Sequence, residues 1–160
     1  MQITTAITIF SFWAAMLGIC GYAFACGGRP ERLGAAISLA AWLVTMMMRV
    51  AFASAWLPAA LSILMIDIAV AVGFFWLAVT TTRFWPIWAC GFALSNLLMS
   101  VAGALLPRIE LFAYHTGLGA YAYLALGALA LGTYRLPHDA DPVVKHGARV
   151  QWQETQNNRN

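Results

Sequence analysis

The sequence predicts an all-α fold: a polytopic membrane protein arranged as an up-and-down bundle of five transmembrane helices. Three observations predict it. Of the 160 residues, 62% are hydrophobic and only 9% are charged, whereas an ordinary soluble domain carries about 25% charged residues. A chain this short cannot keep so much apolar surface from water in one core. The apolar residues fall into runs near the roughly 20 residues a helix needs to cross a hydrocarbon layer, without the period-two alternation of an outer-membrane barrel. Charges and prolines collect in the short stretches between those runs.

The first run, Ile3 to Cys26, closes at the turn GGRPER, and the second, Leu33 to Phe52, closes at ASAWLP. The third, Ala59 to Thr82, ends at RFWP; the fourth, Ile87 to Leu105, ends at LPRIE; the fifth is Leu111 to Tyr134. Pro30, Pro58, Pro86 and Pro107 each fall in a junction, where a fixed φ and a missing N–H suit a turn or a first helical turn. The expected spans are therefore 3–26, 33–52, 59–82, 87–105 and 111–134 within a transmembrane domain 1–134. Connections this short make successive helices antiparallel. From Arg135 the chain turns polar, and a tail 135–160 with few apolar residues is expected to be flexible.

Orientation follows from the basic residues. Seven of the nine Lys and Arg residues (Arg29, Arg32, Arg83, Arg135, Lys145, Arg149 and Arg159) fall in the junctions after helices one and three or in the tail, against Arg49 and Arg108 on the other side. The positive-inside rule then puts the tail in the cytoplasm and the amino terminus outside. The first run ends in AFAC, which resembles a signal-peptide cleavage site. No Lys or Arg precedes it, as a signal peptide requires, so the run is expected to be retained. The net charge of +3 is scattered rather than gathered into a phosphate-binding stripe, which argues against nucleic acid as a partner.

Without a hydrophobic drive between helices in lipid, close approach through small residues marks packing faces. Ala14, Gly18, Gly21, Ala25 and Gly28 make one such stripe on the first helix. Gly34, Ser38, Ala41 and Thr45 make another on the second, and Ala89, Asn96, Ser100 and Gly103 one on the fourth. Trp56, Trp85 and Trp88 sit at expected interfaces and read as an aromatic belt.

Little in the chain points to chemistry. Cys20, Cys26 and Cys90 form neither a CxxC nor a Cys/His ligand set, so they read as small apolar side chains. No P-loop, HExxH or Ser-His-Asp pattern is present. His138 and His146, near Asp139 and Asp141, read as a solvated loop. Neither an enzyme nor a cofactor is expected.

The exception is Asp67, alone among apolar neighbours in LSILMIDIAVAVGFF. It shares a helical face with Ala60, Ala71 and Ala78, and so points at protein. An intramembrane charge costs about 2.5–3.5 kcal/mol even on the lenient insertion scale; the carboxylate must find a partner or hold a proton. At 1.5 Å per residue, Arg49 lies about 5 Å and Asp67 about 12 Å below the turn joining helices two and three, within an arginine's reach. Asn96, Ser100 and His115 lie on small-residue faces at comparable depth. Arg49, Asp67, Asn96, Ser100 and His115 are thus the candidate binding residues. They define either a structural clasp, with Arg49 on Asp67, or a binding or proton-relay site open to the outer face.

The ordering GGRPERLG, a helix-three aspartate, then TTRFWPIWACGF resembles an uncharacterised group of short polytopic inner-membrane proteins of alphaproteobacteria. It covers about residues 27–134 and implies no activity. The tryptophan-rich sensory proteins also have five helices, but their Pro- and Trp-rich segment after helix one is replaced by GGRPER. The expectation is a non-enzymatic accessory or assembly component of the bacterial inner membrane. Its partners would be the bilayer and a homo-oligomer or larger membrane complex. The alternative is a small transporter or a ligand or proton sensor.

Overall fold

The computed structural model describes residues 2–51, 56–105, 111–136, 142–149, 153 and 157. Five long helices, α1 (Gln2–Cys26), α2 (Arg29–Ala51), α3 (Trp56–Thr80), α4 (Trp85–Leu105) and α5 (Leu111–Tyr134), are followed by a short α6 (Pro142–His146). Each long helix packs on the next, and α1 also packs on α5, which closes the ring. That closure is held by Ser11 and Tyr123, whose hydroxyls lie 3.1 Å apart, and by the edge-on rings of Phe12 and Tyr123.

Three helices hold stretches long and apolar enough to cross a membrane among the described residues: Arg29–Met48, Ser62–Thr80 and Trp85–Ala102. Only 17% of the α2 and α3 stretches and 33% of the α4 stretch is buried inside the bundle. A helix of a water-soluble bundle turns its apolar stripe inward and its polar face out. Here Met47, Val50, Met65, Phe75, Trp76 and Leu98 are all turned outward, which only an apolar surrounding tolerates. The chain is a membrane protein built, in its described residues, of helices.

The helix boundaries follow the punctuation. The Gly28 carbonyl accepts the Arg32 N–H at 3.1 Å, so Gly28 caps α2, and Pro30 sits in the first turn where its missing N–H costs nothing. Helix α2 therefore begins at Arg29, before the expected residue 33, and it draws Glu31 into its first turn. At the end of α3 the Thr81 hydroxyl donates to the Leu77 carbonyl at 2.7 Å, and Pro86 opens α4.

The stripes on α2 and α4 face inward. Gly34, Ala89 and Ser100 are buried, and Ser38, Ala41, Thr45 and Asn96 are half-buried; the environment of Gly103 lies outside the described residues. The α1 stripe does the reverse. Ala14, Gly18, Gly21 and Ala25 are exposed, and of the five only Gly28, just past the helix end, is buried; a Cβ added at Gly18 or Gly21 would meet nothing within 4 Å. The face that packs is Met16, Cys20, Ala23 and Gly27, two residues along. Cys20 Sγ lies 3.8 Å from Met16 Sδ and 3.9 Å from the Ala35 carbonyl. Small residues permit close approach without compelling it, and the larger polarizable side chains supply more contact.

The tail also departs from expectation. Residues 142–149, expected to be flexible, are docked across the end of the bundle where α1 meets α2 and α3 meets α4. The Thr82 N–H donates to the Gly147 carbonyl at 3.0 Å, Thr81 and Ala148 form an antiparallel bridge, and Arg83 Nη2 donates to the Val144 carbonyl at 2.8 Å. Gly147 has φ of 60°, a conformation that glycine adopts without strain, and packs on Pro30. Composition hid this because backbone groups, not apolar side chains, make the contacts.

Candidate functional site

Among the described residues two polar clusters lie within the bundle, one between α3 and α4 and one at the tail end. In the first, Asp67 is half-buried on the inward face of α3 with buried Ala71 and Phe74. Asn96 and Ser100, one helical turn apart on α4, both reach it. Asn96 Nδ2 donates to Asp67 Oδ1 at 3.2 Å, and Ser100 Oγ donates to Oδ2 at 2.8 Å. Each carboxylate oxygen is therefore engaged from the neighbouring helix, and hydrogen bonds to a carboxylate are among the stronger neutral-donor contacts. Three of the five expected residues meet. The side chains of Arg49 and His115, and with them the expected Arg49–Asp67 pair, lie outside the described residues. The partner helix shown for Asp67 is α4.

The second cluster centres on Glu31, whose exposure is 0%. Its Oε1 accepts the Trp85 indole N–H at 3.1 Å and lies 3.5 Å from Arg83 Nε. Its Oε2 is buried without a hydrogen-bond partner. Trp85 is not the interfacial belt residue that its position in the sequence suggests. It is 6% exposed, lies edge-on to Phe74, and fills space that Gly34 and Gly132 leave: a Cβ at either would collide with the indole. Trp88, one turn on, is 54% exposed and does face outward. One indole thus joins α2, α4 and α5 and brings its N–H to a carboxylate, the pattern expected of a buried tryptophan.

Sequence reasoning missed Glu31. The available signal was its setting: an acid between Arg29 and Arg32, in a junction facing the same way as Arg83. A buried carboxylate needs a cation or donors, and both come from the other junction at that end. The Arg83 guanidinium then bridges Glu31 to the tail through the Val144 carbonyl. Among the described residues no group of three or more His, Cys, Asp or Glu side chains is placed to hold a metal ion.

No protein-family model, curated protein or solved structure matches this chain. The class that fold and clusters define is a membrane protein, helical in its described residues, with one buried and one half-buried carboxylate held between helices.

Proposed function

We propose that the chain is a five-span protein of the bacterial inner membrane, amino terminus in the periplasm and carboxyl terminus in the cytoplasm. It acts without catalysis, as an accessory or assembly component of a membrane complex. The observation that carries this reading is how the carboxylates are used. Asp67 is engaged from α4 by Asn96 and Ser100, and Glu31 is set against Trp85 and Arg83. Both join helices, and Asp67, with each oxygen accepting a hydrogen bond from α4, reads as an interhelical tie. The five apolar runs, the excess of basic residues at the tail end and the resemblance noted above support the address and orientation.

The test has two arms. A reporter enzyme active only in the cytoplasm, fused after Asn160, is expected to be active. Purification in a gentle detergent is expected to bring down a stoichiometric membrane-protein partner or a second copy of the chain. A proton or solute flux in reconstituted vesicles that Asp67→Asn abolishes at unchanged folded yield would replace this reading with the transporter or sensor.

A further inference from the structure

Beside the Glu31 cluster, on the outer side of the bundle, α2, α3 and the docked tail enclose a cleft of about 170 Å³. Arg29, from the first turn of α2, His146 and Ala148, from the tail, and Thr80, from the end of α3, all line it. Leu33, one turn into α2, and Trp76, one turn before Thr80, line it on the side of the apolar helix surface. The cleft is therefore cationic and hydrogen-bonding at the bundle's end and apolar toward its middle. We infer that it binds the headgroup of an anionic phospholipid, with the phosphate at Arg29 and His146 and the acyl chains along Leu33 and Trp76.

Charge complementarity selects this occupant. By sequence the tail end carries Arg29, Arg32, Arg83, Arg135, Lys145, Arg149 and Arg159 against four acids, Glu31, Asp139, Asp141 and Glu154, and of these Glu31 already faces Arg83. The start of α2 adds the positive end of a helix dipole. The apolar half of the cleft distinguishes a lipid from a free anion: a small phosphate would leave Trp76, which is 54% exposed, without a role. Tryptophan is the side chain that best suits a headgroup boundary. Thr80 donates its hydroxyl hydrogen to the Trp76 carbonyl at 2.7 Å, so its oxygen is left to accept from a hydroxylated headgroup such as glycerol.

The inference rests on the reading of α2 and α3 as membrane spans with this end at the cytoplasmic face, and its test is independent of which side that is. Full-length protein in uncharged detergent is titrated with phosphatidylglycerol, phosphatidylcholine or inorganic phosphate, and bound species are counted by native mass spectrometry. Phosphatidylglycerol is expected to bind about tenfold or more tighter than phosphatidylcholine. Arg29→Gln is expected to weaken it about fivefold, from the roughly 1 kcal/mol each basic residue contributes to anionic lipid, and Arg29→Lys to restore it. Ala148→Phe, which fills the cleft from the tail without touching the bundle interior, is expected to weaken it as well and carries the test if Arg29→Gln folds poorly. Equal affinity for the two lipids would overturn the inference. So would an Arg32→Gln loss equal to that of Arg29→Gln, which would signal diffuse surface charge, or displacement of the lipid by millimolar phosphate, which would signal a small-anion site. A periplasmic C-terminal reporter would instead overturn the orientation and leave the cleft's binding as measured.

Discussion

Asp67 shows what one residue can reveal from sequence. A carboxylate in an apolar run must find donors, and the small face of its helix pointed it inward; Asn96 and Ser100 lay one turn apart on the inward face of the next helix, α4. Those features rest on helical period alone, so the grouping of Asp67 with Asn96 and Ser100 was legible, but the partner expected for the carboxylate was Arg49, whose side chain lies outside the described residues. Glu31 was not, because its partners Trp85 and Arg83 lie in another junction and nothing local announces that a residue at a turn will be wholly buried. Trp85 was misread for the same reason: an indole at a helix end looks interfacial until Gly34 and Gly132 are seen to open a slot for it. Two outcomes follow at this scale. Asp67→Asn keeps one acceptor for Asn96 or Ser100 and should cost under about 1 kcal/mol. Asp67→Leu strands both donors and should cost about 1–2 kcal/mol, given an average near 0.6 kcal/mol per interhelical polar contact. Thermal unfolding in detergent reads the order. Trp85→Ala, which empties a buried site and strands Glu31 Oε1, should cost about 3–5 kcal/mol in the same assay.

At the scale of elements, the periodicity of apolar runs placed the five long helices within a few residues, and prolines marked where they turn. What periodicity left open was rotation. A stripe of glycine and alanine on α1 is turned outward while Met16, Cys20, Ala23 and Gly27 pack, since small residues permit close approach without fixing which face makes it. The link between α2 and the α3–α4 turn is electrostatic, and it yields a cycle. Arg83→Leu leaves Glu31 as an uncompensated buried charge and should cost about 3 kcal/mol or more. Glu31→Leu should also destabilise, by leaving the Trp85 N–H without its acceptor and Arg83 without its counter-charge. The double substitution should recover much of the Arg83→Leu loss. Additive losses in the unfolding midpoints would show that the two side chains do not act as a pair.

For the whole molecule, composition was enough to indicate a membrane address, because no single core of this size could take up so much apolar surface. It misjudged the tail, whose attachment depends on main-chain carbonyls of Val144 and Gly147 and on one glycine with positive φ. Gly147→Ala should loosen that attachment by about 1 kcal/mol or more, since a Cβ is disfavoured at this φ. Limited proteolysis in detergent should then cut first near 137–150 while the helices survive. Cleavage at an unchanged rate would mean the docked segment does not depend on that residue's conformation.

The docked segment has a consequence for biosynthesis. Gly28 and Pro30, made early, are covered by Lys145 and Gly147, made more than a hundred residues later. While a ribosome is still extending the chain, the first two helices are already laid down, yet Glu31 and Arg83 stand under open water without their lid. Sealing of this end waits until residues 142–149 have been made, so a chain halted after α5 would be left unlatched there.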